Sequence, residues 1–578
     1  MAPRPPEEVA NVAVLLGGSC VELWTQKVLA ALPILDTLNT VLLPHALKCN
    51  AWLADRYHPL QLVVGAALAT FAATRVEGVL RRWCARTQRH GFLQSAMDSV
   101  KSLPGVREIV AKEKAKILKQ LQGATKEEDR GVPFLTTMPP QGADCTKVLE
   151  MLRKLHGADT TPPDRHSRIS GTIYMCGAGH LDLLHQAYGM YALTNPLHGD
   201  CFPSVPRMER EVVAMTASLL GGGPQGVRTV CGTMTSGGTE SIMSAVRTTR
   251  EMMCKRKGIH LPELIMADSA HPAFDKACQY FCIRLRRVKV GPDFRANVAA
   301  MRRAINSNTI MMVASAPCYP HGVIDPVEEM ASVARRFKIC LHVDCCLGGY
   351  VLPFARKLGY NVPPFHFEVP GVTSISVDTH KFAMAQKGSS VVLYRDRELR
   401  TFQFTSVTEW SGGLYVSPSQ PGSRSGSLIA QTWAALVHTG EAGYLEATKQ
   451  LMEASIKLQK GIMEIPGLKV MGNPSMCVVA WTSTTVNILE LNDWMTQKGW
   501  TLNVLQFPNS VHMCLTMGNI DCVEHLLHDL HAGVKEMEVA GSSCITGGKA
   551  PIYGMATALP DRGAVGDILT MYQDIACG

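Results

Sequence analysis

The sequence predicts an α/β protein built on a mainly parallel sheet, with a smaller α/β domain after it and a helical segment before it. Three observations lead there. Between about residues 201 and 425, short apolar runs such as Thr309–Ala316 alternate with helical stretches, as a parallel sheet with crossovers requires. Several of these runs end in chemistry-bearing residues, which suits a sheet whose ligands gather at the carboxyl ends of its strands. The last 150 or so residues again alternate helices with strands such as Met476–Trp481, a second and smaller unit over 426–578.

Lys381 closes the run Thr373-Ser374-Ile375-Ser376-Val377-Asp378-Thr379-His380-Lys381, a β-branched stretch that brings a His-Lys pair to a strand end. A desolvated amine there can be held as an imine by an aldehyde cofactor. A second lysine, Lys387, follows at once. Upstream, the apolar run Phe337–Val343 ends in Asp344, a carboxylate that is costly to bury unless it meets a positive partner. The pyridinium nitrogen of pyridoxal phosphate (PLP) is such a partner. Earlier still, Ser236-Gly237-Gly238-Thr239-Glu240 opens a helix, where glycines and free N–H groups favour an anion such as the cofactor phosphate. Between them lies His271, in Ala270-His271-Pro272-Ala273-Phe274, placed to stack on a pyridine ring. A surface lysine, a helix-capping Asp or His and an ordinary Gly-Gly turn are the plain alternatives taken one at a time. Four such signals in this order read as a PLP site.

With these residues in place, the chain resembles the PLP-dependent decarboxylase group of the aspartate-aminotransferase fold, and within it the sphingosine-1-phosphate lyases. The resemblance covers roughly residues 90 to 560. It rests on the motifs above and on Asn195-Pro196-Leu197-His198, Pro320-His321-Gly322-Val323-Ile324-Asp325-Pro326, Gly422-Ser423-Arg424 and Leu505-Gln506-Phe507-Pro508. It implies retro-aldol cleavage of a sphingoid base 1-phosphate to a long-chain aldehyde and phosphoethanolamine. It also implies a homodimer with shared active sites. By the same resemblance Tyr174, Asn195, His198 and Lys387 bind the substrate phosphate, and Lys387 assists proton transfer. His380 then contacts the cofactor phosphate, and Ser423 reaches it from a neighbouring subunit. Three departures from the pattern stand out. Gly199 follows His198 where a proline is usual, Phe382 and Met384 stand where tyrosines are usual, and Ser425 replaces a proline, which is expected to loosen its loop. An amino-acid decarboxylase of the same fold, and an inactive membrane-anchored scaffold, are the competing readings.

Composition agrees with an enzyme. A chain of 578 residues, 46% hydrophobic and 18% charged, can bury a large core in two or three domains. The net charge of +8 is modest, and its basic clusters (Arg75 to Arg89; Arg284, Arg286, Arg287 and Lys289) lack interleaved aromatics. Anionic substrates or lipid head groups therefore suit it better than nucleic acid. Nineteen cysteines without a Cys-x-x-Cys pair read as free thiols in a reducing compartment, with no metal cluster.

Residues 1–90 differ in character. Tyr57–Thr74 is an uncharged stretch of 18 residues, at the low end of what a membrane-spanning helix needs, and an Arg-rich segment follows it. That excess of positive charge places the downstream side in the cytosol. The expectation is a single-pass anchor in the endoplasmic reticulum membrane, with a buried or interfacial helix as the alternative. Residues 91–200 follow as a helical arm with substrate loops.

Overall fold

The computed structural model describes residues 132–157, 167–174, 177–540 and 562–577, together with Lys112. The candidate anchor at 57–74 lies outside them, as does nearly all of the charged stretch at 101–128. Among the described residues no helix is long and apolar enough to cross a membrane.

The larger sheet has seven strands: β1 (Cys231–Thr235), β2 (Glu263–Ala267), β3 (Arg284–Val288), β4 (Thr309–Ser315), β5 (Cys340–Asp344), β6 (Val372–Val377) and β7 (Ser390–Tyr394). Their order across the sheet is β1-β7-β6-β5-β4-β2-β3. All neighbours run parallel except β7, which is antiparallel to both β6 and β1. Every residue of β2, β4 and β5 is buried, which is why these strands read as unbroken apolar runs and not as alternating ones. The core continues into the flanking helices. Phe274, fully buried in the helix Ala273–Tyr280, meets the His342 ring of β5 edge-on at 5.6 Å.

The two sheet edges are closed by charge. On β3, Arg284 and Arg286 reach the buried Glu263 carboxylate at 3.1 and 2.9 Å, and Arg287 pairs with Asp275. The Arg284–Arg287 cluster is thus occupied in blunting an exposed strand, a use that blocks edge-to-edge pairing. On the β1 edge, the Met234 N–H donates to the Glu209 carboxylate at 3.2 Å.

A second sheet comprises β10 (Leu468–Val470), β11 (Val478–Ser483), β12 (Asn503–Leu505) and β13 (Ser510–Cys514), all antiparallel in the order β10-β11-β13-β12. A two-stranded ribbon, β8 (Thr405–Trp410) with β9 (Gly413–Ser417), lies between the two sheets in sequence. The long helix Gly426–Glu464 is two helices joined at Gly440, whose φ of 58° is left-handed backbone that glycine adopts without strain. Segment 168–171 is tied to the second sheet. Ser170 N–H donates to Thr501 O and Gly171 N–H to Cys514 O, both at 2.9 Å, and the Asn519 amide donates to Ile169 O. This tie carries Tyr174 to the neighbourhood of Lys381.

Candidate active site

The site forms at the carboxyl edge of the parallel strands, where each strand hands its last residue to a loop. β6 ends at Val377, and the turn Asp378–Lys381 follows it. Lys381 Nζ lies 2.9 Å from Asp378 Oδ2, and His380 Nε2 is 3.7 Å from the same oxygen. The second His380 nitrogen, Nδ1, is 2.6 Å from the Ser389 carbonyl, which fixes the ring. Burial alone lowers the Lys381 pKa, but the Asp378 carboxylate more than offsets this, so the amine is held well above the ordinary lysine range. Asp378 is held below the usual carboxylate range because Lys381 and His380 together outweigh its burial.

One strand over, β5 delivers Asp344, paired in register with Ser376 of β6. Asp344 Oδ1 accepts from the Cys346 N–H at 3.0 Å and from the Ser376 hydroxyl at 3.2 Å. Behind Ser376 stands His342, fully buried, with Nε2 at 3.1 Å from that hydroxyl and Nδ1 at 2.9 Å from Ser374 Oγ. Burial pushes the His342 imidazole down to about 4, so it is neutral near pH 7. Nε2–H then donates to Ser376, which donates to Asp344. The chain of donors orients the carboxylate.

β1 runs parallel to β6, and past its end the helix Gly238–Lys257 begins, with Gly237 at the cap. Helix starts leave their first N–H groups unpaired and carry partial positive charge. Glu240 in the first turn folds back on Ser236, accepting from its N–H at 2.7 Å and its hydroxyl at 2.6 Å, and so closes the turn. At Gly238 a Cβ would sit 2.8 Å from both Asp378 Oδ1 and Cys346 Sγ, so the backbone must approach these side chains bare. His380 flanks the same turn, with Cε1 3.8 Å from the Cβ position of Gly237. Thr239 is exposed in the first helical turn, and His271 is half-buried just beyond the end of β2. His271 is oriented by the Ala273 N–H, which donates to its Nδ1 at 3.1 Å.

Lys387 and Tyr174 form the other wall. Lys387 Nζ sits over the Tyr174 ring, 4.7 Å from its centroid, and Phe382 meets that ring edge-on at 5.0 Å. Burial and the neighbouring Lys381 charge lower the Lys387 pKa, with Asp378 opposing. Phe382, where a tyrosine is usual, is thus a packing partner for Tyr174.

Asn195, His198 and Ser423 are placed differently. Asn195 Oδ1 accepts from Leu197 N–H at 3.1 Å and Arg424 N–H at 3.3 Å, so it braces the 422–424 loop. His198 and Ser423 are exposed. Arg424 is clamped on Glu209 by two hydrogen bonds of 2.6 and 2.9 Å. Ser425, expected to loosen this loop, instead caps the helix Gly426–Glu464, its hydroxyl accepting from Leu428 N–H at 3.3 Å. A proline has no hydroxyl to do this.

The arrangement fits PLP. It offers a helix start with a glycine turn and a histidine for the phosphate, an oriented carboxylate for the ring nitrogen and a buried lysine for the aldehyde. Comparison with known proteins agrees. Residues 174–483 match the model of the pyridoxal-dependent decarboxylase conserved domain. The sphingosine-1-phosphate lyase of Oryza sativa is 49% identical over 532 residues, covering 90% of this chain and 96% of the relative. The rat enzyme of the same name is 40% identical and covers 90% of both chains. The chain belongs to the sphingosine-1-phosphate lyase family. Among solved structures, the lyase of Burkholderia pseudomallei is 40% identical, with a TM-score of 0.68 over 70% of this chain and 94% of that one. A Lactobacillus brevis glutamate decarboxylase, 18% identical with a TM-score of 0.61, shares the fold. The protein is a PLP-dependent lyase with this decarboxylase-type fold.

Proposed function

We propose that the site cleaves the Cα–Cβ bond of sphingoid base 1-phosphates, releasing a long-chain aldehyde and phosphoethanolamine, with Lys381 holding the cofactor and Lys387 moving the proton. When bound, PLP supplies an electron sink for the bond broken at the substrate Cα. The observation that carries the division of labour is that Lys381 Nζ is paired with Asp378 at 2.9 Å, whereas Lys387 Nζ lies over the Tyr174 ring, 4.7 Å from its centroid. Asp378 holds Lys381 protonated, whereas burial and the Lys381 charge favour the neutral form of Lys387. Two titratable groups pushed apart in this way are suited to opposite roles. Lys387, as the readier base, takes the proton of the β-hydroxyl, and in its charged form it attracts the substrate phosphate.

Gly238, Thr239 and His380 would hold the cofactor phosphate and His271 would lie against the ring, while Tyr174 seats Lys387. With Asn195 bracing the loop, His198 and Ser423 act across a dimer interface, consistent with their exposure here. The exposed Met190, Leu193 and Leu197 beside them would be covered by a second copy. Mixing inactive Lys381→Ala and Ser423→Asp chains should restore activity if sites are shared; no recovery would refute sharing.

An amino-acid decarboxylase would release CO2 and need no second lysine beside a tyrosine ring. Sphinganine 1-phosphate should yield aldehyde and phosphoethanolamine in equal amounts, and Lys387→Met should lower that rate by about a hundredfold or more, the range for a lost proton-transfer group. CO2 from glutamate or an aromatic amino acid, with no aldehyde from the lipid, would refute the assignment. For residues 57–74 we propose a single-pass anchor in the endoplasmic reticulum membrane, with the catalytic part in the cytosol; the support is the uncharged stretch followed by arginines. The full chain should resist carbonate extraction from membranes and lose that resistance without residues 1–90.

A further inference from the structure

The turn that carries Lys381 also carries a carboxylate for which the family resemblance supplied no role. Asp378 is 3% exposed, and its Oδ2 makes the 2.9 Å ion pair with Lys381 Nζ. Its other oxygen, Oδ1, has no hydrogen-bond partner among the described residues. The Ser390 hydroxyl beside it donates instead to the Val377 carbonyl at 2.9 Å. Oδ1 packs against the bare Cα of Gly238, at the start of the helix that faces the cofactor phosphate. A buried carboxylate so thinly satisfied is costly without a cation, and Lys381 at 2.9 Å is nearer to it than His380 at 3.7 Å.

We propose that Asp378 is a positioning residue that keeps the free Lys381 amine protonated, and that this ion pair sets how readily the site takes up PLP. The proposal rests on the reading of Lys381 as the cofactor lysine. The other groups that act on this amine are Asp344 and Cys346 at the end of β5, Lys387 after the turn, His380 within it and Cys514 at the end of β13. Of these, Lys387 and a charged His380 would drive the proton off, and Asp344 reinforces Asp378. Asp378 is the group that accepts a direct contact from the amine.

The consequence has a definite sign. Uptake joins the lone pair of the neutral Nζ to the aldehyde carbon, and the aldehyde oxygen leaves as water with the two protons of the amine. An ammonium cannot begin this step, so Lys381 must first lose a proton to solvent, against the pull of Asp378. Its pKa is raised, so reactivity should grow with pH beyond the point where an ordinary lysine has levelled off. Lys387, lowered, should level off earlier.

The test is trace acylation of the cofactor-free full chain across the alkaline range, with each lysine followed by peptide mass spectrometry. In wild type, Lys387 should reach its plateau first while Lys381 is still climbing at about pH 11, above the ordinary lysine value. Asp378→Asn should bring the Lys381 midpoint down by about one to three units, the span of a close charge pair, and Asp378→Glu should restore it. The pH of half-maximal PLP uptake, read by absorbance, should move down with the Asn variant. A Lys381 midpoint unchanged in a natively folded Asp378→Asn protein would overturn the proposal. So would a wild-type Lys381 that levels off before Lys387, a result that needs no variant. Because acylation reports on the amines alone, either outcome leaves the assignment of the cofactor lysine to be judged separately.

Discussion

Turnover in Lys381→Ala is expected to fall by about ten-thousandfold or more. A single proton-transfer group contributes up to about that much, and Lys381 additionally anchors the cofactor covalently and must displace product from it. The second lysine cannot substitute, since Lys387 is held over the Tyr174 ring at 4.7 Å. The alanine variant also strips Asp378 of its cation, and an uncompensated buried charge costs about 3–5 kcal/mol, so lower thermal stability should accompany the lost activity. Lys381→Arg separates the two effects. Its guanidinium keeps a positive charge for Asp378 but does not deprotonate to serve as a nucleophile. It should recover stability and remain inactive. Activity in the arginine variant within tenfold of wild type would mean that the covalent lysine lies elsewhere.

Asp344→Asn is expected to lower the rate by about a hundred- to a thousandfold, the loss typical of removing one preorganised electrostatic contact, with weaker cofactor binding as a smaller effect. The fold should tolerate the change. Asparagine keeps an Oδ1 that can accept from Cys346 N–H and the Ser376 hydroxyl, the two bonds that orient Asp344. What it lacks is the negative charge that keeps a pyridine nitrogen protonated. Kinetics together with the absorbance of bound PLP check this. A variant within a few-fold of wild type would mean that another group protonates the ring.

Much of this was legible because the chemistry sits where the backbone makes it local. Gly238, His271, Asp344 and Lys381 each lie at or just past the end of a strand, so four motifs far apart in sequence meet at one sheet edge, though in the spatial order β1-β6-β5-β2 and not in their sequence order. The continuous apolar runs of β4 and β5 signalled strands buried on both faces. What could not be read was pairing between distant segments. β7 runs antiparallel into a parallel sheet, and nothing in Ser390–Tyr394 announces its direction. The role of Asp378 was hidden in a motif that drew attention to the lysine three residues later, although an acid spaced to meet that lysine was a signal available from the start. The seat of Tyr174 depends on Ser170 and Gly171 bonding to strands more than 300 residues away, contacts that no local pattern encodes. The Arg284–Arg287 cluster looked like a surface for anions. The buried Glu263 and the half-buried Asp275 claim it instead.

The most direct measurement is borohydride reduction of the PLP-loaded protein, followed by peptide mapping of the fixed cofactor. The account predicts the label on the peptide that contains Lys381, and its disappearance in Lys381→Arg. A label on Lys387 would contradict it, and would reverse the roles assigned to the two lysines.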